Sequence, residues 1–567
     1  MSLILDRNNN IVEPMHYIFG MFILGTITYR SFNKYQWLAI IIASCFFTLI
    51  YFLEGTKITI IMIVFFSVSV LNNVYYYSYK PENLSKITIT SVKTYGVSGE
   101  IEGRKVYLEG SFKAFKIGER ILARGKFEED LEITKGNIGT FDIQEYKKLK
   151  DNFISKLYRV REKIFFSIKE KLGSRRASLV SSIAFGYTDF LDEEDKENMK
   201  FLGLLHAVSV SGLHMALIYG VLRKIFGKKY TPFIALLYVL FTGAPISTIR
   251  AYIMLLCMSA SSPLRRNYNP LVGLSLSGVI ILILKPYGVF EIGCVLSFLA
   301  TIGIILFNKR LNKKLYKLPK FLREGLGLTL SAQIFSFPVL ILTFKEFSFN
   351  FIIGNIILAP IITGIVLIGN LLVITWWIPF VFSYLCFIAH YATVLMDKAI
   401  ELIQKFTIPV FYFNENISFM YLSLLVSGYF YKRGYKKFIY MPIITIVYIM
   451  VLIYSPFPKL KYYREGAYLL SYKGDRVLIA LKKEADFKKL TKITATNKIY
   501  KNIKNIRVGE YITLIKSGND FILDNSNHEY LLKLWKEKKE SEYDIIDFSE
   551  GDFNEIIIFK SKVLPLD

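Results

Sequence analysis

Two histidines, two serines and a glycine lie close together in a stretch of chain that is otherwise apolar. They occupy the run His206-Ala-Val-Ser-Val-Ser-Gly-Leu-His214. Residues 201–222 are long enough, as one helix, to cross the hydrocarbon core of a bilayer, which is about 30 Å thick. Ionisable side chains at that depth rarely face lipid and often line a pathway or a bundle interior. We therefore expect this run to carry function.

The spacing within the run limits the chemistry that it can do. On a continuous helix Ser211 and His214 share one face, as do His206 and Ser209. The two histidines are eight residues apart and therefore about 12 Å apart along the axis, too far to hold one metal ion. We expect no metal and no cofactor. A simpler role stays open, because serine, glycine and a histidine bonded to a carbonyl are also common where membrane helices touch.

The rest of the composition indicates a polytopic α-helical membrane protein. The chain has 567 residues, 53% of them hydrophobic, and a mean hydropathy of +0.37. Soluble domains have about 45–50% apolar residues, and we find twelve apolar stretches of roughly spanning length. Gly243-Ala-Pro245 and Ala359-Pro360 predict two broken spans, and such breaks usually face a cavity or other protein.

The charge of the chain is strongly positive. The sequence has 71 Lys and Arg against 46 Asp and Glu, a formal net charge of +25. This excess is compatible with anionic lipid or nucleic acid, although lysines and arginines that set topology in cytoplasmic loops give the same signal. The first apolar stretch is followed by Arg30 and Lys34 and lacks a small-residue cleavage site, so we expect it to remain as an anchor.

Residues 84–147 read as a small β domain inserted after N-terminal transmembrane helices in 1–80. Residues 87–90, 105–109 and 120–126 alternate apolar and polar side chains, the pattern of short strands. A module of this size suits a five-stranded barrel of the OB type, which often binds oligonucleotides. The predicted DNA-binding residues are Lys93, Tyr95, Arg104, Lys105, Tyr107, Lys113, Lys116, Arg120, Arg124 and Lys126. Alternatively the aromatic residues are barrel core and the lysines a solvated surface.

Three further regions complete the organisation. Residues 148–175 predict an amphipathic helix that lies on the membrane surface or packs against the bundle. Residues 176–457 form the main transmembrane domain, in which 176–200 reads as a connector. Residues 458–567 predict a short α+β tail with a hairpin at Lys473-Gly-Asp475 and a helix over 528–539.

Motifs for ATP or two-metal chemistry do not occur in the sequence. It has no Gly-x-x-x-x-Gly-Lys-Ser/Thr loop, and the tail has one histidine, His528, without the His-x-His or His-x-Asp cluster of a two-metal hydrolase. An intramembrane hydrolase that uses Ser211 as nucleophile and His214 as base stays open as an alternative. Residues three apart on one helix seldom reach attack geometry, so we expect no enzyme here. A small-anion transporter is a third possibility.

Several separate motifs in 180–375 together resemble the ComEC family, the inner-membrane channel that brings single-stranded DNA into naturally competent bacteria. His206, Ser211, Gly212 and His214 match the family's polar span at the same spacing, with Ser209 in place of an alanine. Arg250-Ala-Tyr-Ile-Met254 resembles the next motif, and Leu296-Ser297-Phe298 a third, with Val295 where the family has glutamine. The same pattern includes Gln333, Asn355 and Pro360.

The resemblance implies a channel for uptake of single-stranded DNA across the bacterial inner membrane, pulled by a separate helicase-type ATPase and fed by a DNA-receptor protein. The implied path residues are His206, Ser209, Ser211, Gly212, His214, Arg250, Ser297, Gln333, Asn355 and Pro360. The OB-like domain would lie outside the cytoplasm. Many members carry a metallo-β-lactamase-like domain whose motifs are absent from this tail, so degradation of the other strand would need a separate nuclease.

Overall fold

The computed structural model describes most of the chain, and the described residues form two compact units. The described ranges are 14–93, 96–110, 115–208, 210–406, 408–463, 466–481, 487–496, 498–500, 505–508, 512–517, 520–525, 528–533, 543–548, 554–559 and 562–566. The first unit contains the chain up to Phe335 together with Ser348–Ile408, and the second contains Ser336–Phe347 and Pro409–Asp567.

The first unit is mainly helical. Its helices are α1 (Met15–Lys34), α2 (Gln36–Glu54), α3 (Thr56–Tyr77), α4 (Phe153–Leu172), α5 (Ser174–Phe185), α6 (Glu193–Phe201), α7 (Leu205–Val208), α8 (Gly212–Phe241), α9 (Ile246–Ser261), α10 (Pro270–Leu284), α11 (Ile292–Lys314), α12 (Lys320–Phe344, whose end enters the second unit), α13 (Phe351–Thr375) and α14 (Pro379–Gln404). Helix α8 consists of two halves that meet at Gly227, where φ is +71°.

Several helices are long and apolar enough to cross a membrane. Among the described residues six meet this criterion: α3, α11, α12, α13, α14 and the segment Lys436–Ile453. Gln36–Phe52, α9 and α10 are apolar but shorter. Together with the β domain described next, these helices confirm the predicted polytopic helical membrane protein with an inserted barrel.

The inserted domain is a closed five-stranded barrel. Its strands are β1 (Leu84–Lys93), β2 (Gly96–Ile101), β3 (Arg104–Glu109), β4 (Arg120–Glu128) and β5 (Asn137–Lys148), in the order β1-β2-β3-β5-β4. Alternate side chains such as Ile87, Val106 and Phe141 fill the interior, as the period of two predicts. Closure requires β4 to bend at Gly125, where a Cβ would lie only 2.0 Å from the Asp142 carbonyl oxygen.

The barrel is anchored on aromatic residues of the helical unit. The Tyr76 hydroxyl, at the end of α3, donates to the Gly136 carbonyl over 3.0 Å, and the Tyr77 hydroxyl donates to the Ile133 carbonyl over 2.9 Å. Tyr287, from the turn between α10 and α11, is buried in the same cluster. Buried hydroxyls with good acceptors make such contacts specific, so these contacts fix the position of the barrel at this end of the helices.

Helices α4 and α5 form the centre of the main core. Ile164, Phe165 and Ile168 of α4 are fully buried against side chains of α5, α13 and α14, so the helix packs against the bundle, one of the two predicted possibilities. The prediction of a connector over 176–200 was wrong. Ala177–Phe185 of α5 are all buried, and α13 approaches this helix closely at Gly369, where a Cβ would lie 2.4 Å from Ala184.

The second unit combines a helical hairpin with two sheets. Its further elements are α15 (Glu415–Lys432), α16 (Met441–Ile453), α17 (Phe487–Thr494), β6 (Glu346–Phe347), β7 (Phe411–Tyr412), β8 (Lys459–Tyr463), β9 (Ala467–Tyr472), β10 (Asp475–Ala480), β11 (Lys498–Tyr500), β12 (Asn505–Val508), β13 (Ile512–Ser517), β14 (Asp520–Asp524), β15 (Glu529–Lys533), β16 (Asp544–Asp547), β17 (Glu555–Ile558) and β18 (Val563–Leu566).

The tail is richer in strands than the sequence predicted. One sheet has the order β11-β10-β9-β8-β17-β18, the other β12-β13-β14-β15-β16, and both contribute to one core around Tyr468, Leu523 and Ile556. The predicted hairpin is present between β9 and β10. The predicted helix over 528–539 was wrong for 529–533, which pair as strand β15 with β14, and 534–539 lie outside the described residues.

Candidate functional site

The polar run forms a break between helices instead of one continuous span. Helix α6 ends at Phe201, the four-residue α7 follows, and α8 begins only at Gly212. The Val210 carbonyl accepts bonds from the Ser247 and Thr248 hydroxyls at 2.9 and 3.0 Å, so side chains of another helix use an acceptor that would otherwise serve a helical turn. The prediction of a single helix over 201–222 was therefore wrong.

Ser211 and His214 lie in contact at the start of α8. The Ser211 amide donates to His214 Nδ1 over 2.9 Å, and the Ser211 Oγ is 2.7 Å from the same nitrogen. The bond from the Ser211 amide is one half of a capping box, with His214 at the position usually held by glutamate or glutamine. His214 is buried, and its Nε2 has no hydrogen-bond partner among the described residues. The predicted shared face is present, at a helix terminus.

Arg250 lies buried beside this helix start. Its Nε donates to the Ser297 Oγ over 2.9 Å, and its Nη1 is 3.4 Å from the Met254 sulfur. A Cβ on Gly212 would lie 3.1 Å from Nη2, so the glycine lets the guanidinium reach the first turn of α8. Only 7% of Arg250 is exposed. Within the described part of the chain no carboxylate forms an ion pair with it.

The remaining predicted path residues are not all brought to this cluster. The His206 side chain is exposed on α7, and Ser209 lies outside the described residues. Asn355 donates to the Phe351 carbonyl of its own helix over 2.9 Å. Gln333 lies partly buried on α12, and its Oε1 has no partner among the residues that the structure describes.

One predicted helix break is observed and the other is not. Residues 242–245 separate α8 from α9, with φ of +85° at Gly243 and +50° at Ala244. The break at Ala359-Pro360 was wrong, because α13 continues through Pro360. The Thr363 hydroxyl donates to the Ala359 carbonyl over 2.8 Å, and hydroxyl side chains of this kind satisfy backbone groups near a proline in membrane helices.

A second buried arginine, which sequence reasoning missed, lies next to the observed break. Arg161 of α4 is 6% exposed, and its guanidinium carbon lies 4.7 Å from the Tyr158 ring centroid and 5.2 Å from that of Tyr187. A Cβ on Gly243 would lie 3.3 Å from its Nη1. The available signal was a charge on the apolar face of an amphipathic helix, four residues after Leu157 and four before Phe165.

Several barrel residues predicted to bind DNA instead hold the barrel in place. Arg104 is 6% exposed and donates to the carbonyls of Tyr75, Tyr76 and Glu102. Lys105 lies 4.1 Å from the Tyr287 ring centroid, and burial lowers its pKa. We therefore leave both residues out of any DNA-binding surface.

The other predicted barrel residues are largely matched with acidic or backbone partners. The Tyr107 hydroxyl donates to Glu132, Lys116 pairs with Glu162 at 3.0 Å, and Arg120 reaches the Lys150 carbonyl at 3.4 Å. Strand register places the exposed Arg124 opposite Glu145 and Lys126 opposite Asp142. The Lys93 side chain, Tyr95 and Lys113 lie outside the described residues.

The barrel segment is nearly neutral in charge. Residues 84–148 contain twelve Lys and Arg and ten Asp and Glu, so the large positive charge of the chain comes from elsewhere. Across the ranges given above, no three His, Cys, Asp or Glu side chains come close enough to hold a metal ion. Among the described residues, Arg250 and Arg161 at the helix breaks are buried and form no ion pair.

Comparisons with known proteins match the part of the chain that holds these breaks. Residues 183–434 match the family described as Competence protein. ComE operon protein 3 of Bacillus subtilis (strain 168) is 26% identical over 232 residues, 39% of this chain and 29% of that protein. An uncharacterized protein of Aquifex aeolicus (strain VF5) is 26% identical over 274 residues, 45% of this chain and 63% of that protein. The chain thus spans less than two thirds of either relative, and no solved structure gives a significant match.

Proposed function

We propose that this chain, whose residues 183–434 match the family described as Competence protein, is a channel through which single-stranded DNA crosses the bacterial inner membrane during natural transformation. The observation that carries the proposal is Arg250, a buried guanidinium without a carboxylate partner among the described residues, at the break before α8. A guanidinium presents a permanently charged, planar set of donors that matches a phosphate. Charges buried in membrane segments commonly mark a pathway.

The distribution of basic residues supports an orientation for this channel. The two halves of α8 and helices α9, α10 and α11 follow one another, so their connecting turns alternate between the two ends. The turns at one end carry Arg223, Lys224, Lys228, Lys229, Arg265, Arg266, Lys309, Arg310, Lys313, Lys314 and Lys317. The turns at the other end, 242–245 and 285–291, carry one basic residue, Lys285. By the positive-inside rule this difference supports a cytoplasmic position for the first end.

The barrel then lies on the extracytoplasmic side. It packs on Tyr287, which belongs to the turn at 285–291, and Lys105 of the barrel covers the same ring. In this orientation the barrel lies where an incoming strand, delivered by a DNA-receptor protein, would first meet the channel. A separate helicase-type ATPase would pull from the cytoplasmic end, and a separate nuclease would remove the other strand.

A DNA titration tests the proposal. The full chain, purified in detergent, is titrated with labelled single-stranded DNA, duplex DNA and a neutral polymer at several salt concentrations. We expect a preference for the single strand and a linear fall of log affinity with log salt, with a slope of about −0.7 per phosphate contacted. Equal affinity for single strands and for an unrelated polyanion such as polyphosphate would contradict the proposal.

One contact favours a second candidate, an intramembrane hydrolase. The 2.7 Å distance between the Ser211 Oγ and His214 Nδ1 is within the range of a nucleophile and its base. The Ser211 amide donates to the same nitrogen, which suits the capping role equally well. Ser211→Ala distinguishes the two functions, because a hydrolase would lose nearly all turnover whereas a channel keeps most of its DNA uptake.

A further inference from the structure

Arg161 is a buried cation, 6% exposed, that forms no ion pair among the described residues. Its Nε has no hydrogen-bond partner among them. Its close neighbours are the faces of Tyr158 and Tyr187. A buried charged group without hydrogen bonds is costly, so a stable protein rarely keeps one without a use.

Arg104, a buried arginine of the same unit, shows how such a group is normally satisfied, because it donates to three carbonyls. The acidic group whose charge acts on Arg161 is Asp189, and within the described chain the two form no ion pair within 4.0 Å. Burial lowers the pKa of the Arg161 guanidinium, and Tyr158 and Asp189 act in the opposite direction. The positive charge thus lacks a matched partner.

The position of Arg161 links the barrel to the helix breaks. On one side, a Cβ on Gly118 of the barrel would lie 2.8 Å from the Tyr158 ring. On the other side, the backbone at Gly243 lies against the guanidinium and the Tyr158 hydroxyl. The neighbouring Gly186 approaches Val210, whose carbonyl is held by Ser247 and Thr248. Arg161 therefore lies between the barrel and the break before α8, beside the path that the proposed function requires of a strand.

We infer that Arg161, Tyr158 and Tyr187 form a binding site for one phosphodiester group and the adjoining base of a single strand, between the barrel and the helix breaks. The inference rests on the proposed function and adds a contact site to it. The guanidinium supplies paired donors to phosphate oxygens, and an aromatic ring gives a base a stacking surface that does not depend on sequence. Both chemistries are combined in single-strand binding proteins.

A pair of charge-matched variants tests this site. Arg161→Gln removes the buried charge, and Arg159→Gln removes a neighbouring one that already pairs with Asp151 and Glu162 at 3.7 and 3.4 Å. In the detergent-purified full chain we expect Arg161→Gln to weaken single-stranded DNA binding about tenfold and to reduce the salt slope by about 0.7, the contribution of one phosphate. Arg159→Gln should leave both quantities unchanged. Thermal unfolding of both variants shows whether they fold.

Ultraviolet cross-linking of the unmodified chain gives a second readout that needs no variant. A 5-bromodeoxyuridine oligonucleotide is irradiated in the complex and the adducts are mapped by mass spectrometry, with Tyr158 or Tyr187 as the expected sites. If the wild-type chain prefers single strands but gives no adduct there, and Arg161→Gln matches Arg159→Gln, the site is overturned and the channel proposal stands. If the wild-type chain shows no preference for single strands, both are overturned.

Discussion

The barrel and the helix breaks both contain many polar and basic residues, but they use them in opposite ways. On the barrel, exposed cations lie opposite carboxylates, as Arg124 does with Glu145 and Lys126 with Asp142. At the breaks, Arg250 and Arg161 are buried without an ion pair among the described residues. Exposed pairs are weak and screened by salt, whereas a buried, unpaired cation attracts an anion strongly. The number of basic residues in a region therefore says little about where an anion binds.

The same comparison separates two uses of a buried arginine. Arg104 is as buried as Arg161, but its three carbonyl acceptors fix the barrel to the end of α3. Arg250 donates to Ser297 through Nε and places Nη2 beside the first turn of α8. Burial together with spare donors distinguishes a candidate phosphate ligand from a structural residue.

The largest effect should come from removing the charge at the break. We expect Arg250→Gln to lower transformation about 100-fold or more in a competent host that depends on this chain, because losing a buried charged contact costs about 2–5 kcal/mol. The barrel double variant with Arg124→Gln and Lys126→Gln should lower it less than about fivefold, since exposed surface charges contribute about 1 kcal/mol or less. Transformation frequency at matched protein levels is the measurement. Equal losses for the two variants would remove the distinction between the regions.

Arg104 provides a second test of the comparison, this time on stability. We expect Arg104→Ala to destabilise the barrel by about 2–3 kcal/mol, because three backbone carbonyls lose a charged donor. Limited proteolysis of the barrel in the full chain, followed by mass spectrometry, reports the loss. Arg124→Ala is the control and should not change the cleavage rate. If Arg104→Ala resists proteolysis as well as the unmodified chain, Arg104 again becomes a candidate DNA-binding residue.

The sequence predicted the fold well where periodicity was strong. The alternation around Ile87 and Val106 identified the barrel, and long apolar stretches identified most spanning helices. It failed for α5, because Ser178, Ser181 and Ser182 read as a polar connector, although small hydroxyl residues pack closely between membrane helices. It also failed at Pro360, where the Thr363 hydroxyl compensates within the helix.

The candidate site was predicted in part. Helical spacing placed Ser211 and His214 on one face, and the resemblance to the ComEC family added Gly212, Arg250 and Ser297. The structure brings these residues together. The break could not be predicted from the local sequence. It depends on hydrogen bonds to the Val210 carbonyl from Ser247 and Thr248, which are 37 and 38 residues further along the chain. The position of barrel cations opposite acidic residues depends on strand register, and strand register cannot be deduced from the number of charged residues.

A smaller effect should follow from crowding Arg250 without removing it. In Gly212→Ala the new methyl group would lie 3.1 Å from Arg250 Nη2, so the guanidinium must move by a few tenths of an ångström. We expect DNA uptake to fall about threefold to tenfold. Gly220→Ala, in the interior of the same helix, meets nothing within 4 Å and should gain up to about 1 kcal/mol of helix stability without losing uptake. Parallel behaviour of the two variants would show that the position of Arg250 is not critical.

The smallest effect is expected at Glu119 of the barrel, a carboxylate whose hydrogen-bond partners lie within the protein. Glu119 accepts from Lys148 Nζ at 2.6 Å and from the Lys116 amide at 3.0 Å. Burial alone would raise the pKa of Glu119, but these two bonds outweigh it and hold the pKa below its usual value of 4.5.

Because this pKa is lower in the folded chain than in the unfolded chain, the resulting stability is present at neutral pH and is lost as the pH falls below about 4.5 towards the folded value. Glu119→Gln should therefore cost about 1 kcal/mol at pH 7 and nothing at low pH, as measured by barrel proteolysis with an acid-active protease and a neutral one. Single-stranded DNA binding at pH 7 should be unchanged in this variant, because a paired charge on the barrel lies outside the proposed phosphate contacts. A loss of binding comparable to that of Arg161→Gln would mean that the barrel and the breaks do not divide their roles in the way that their charges indicate.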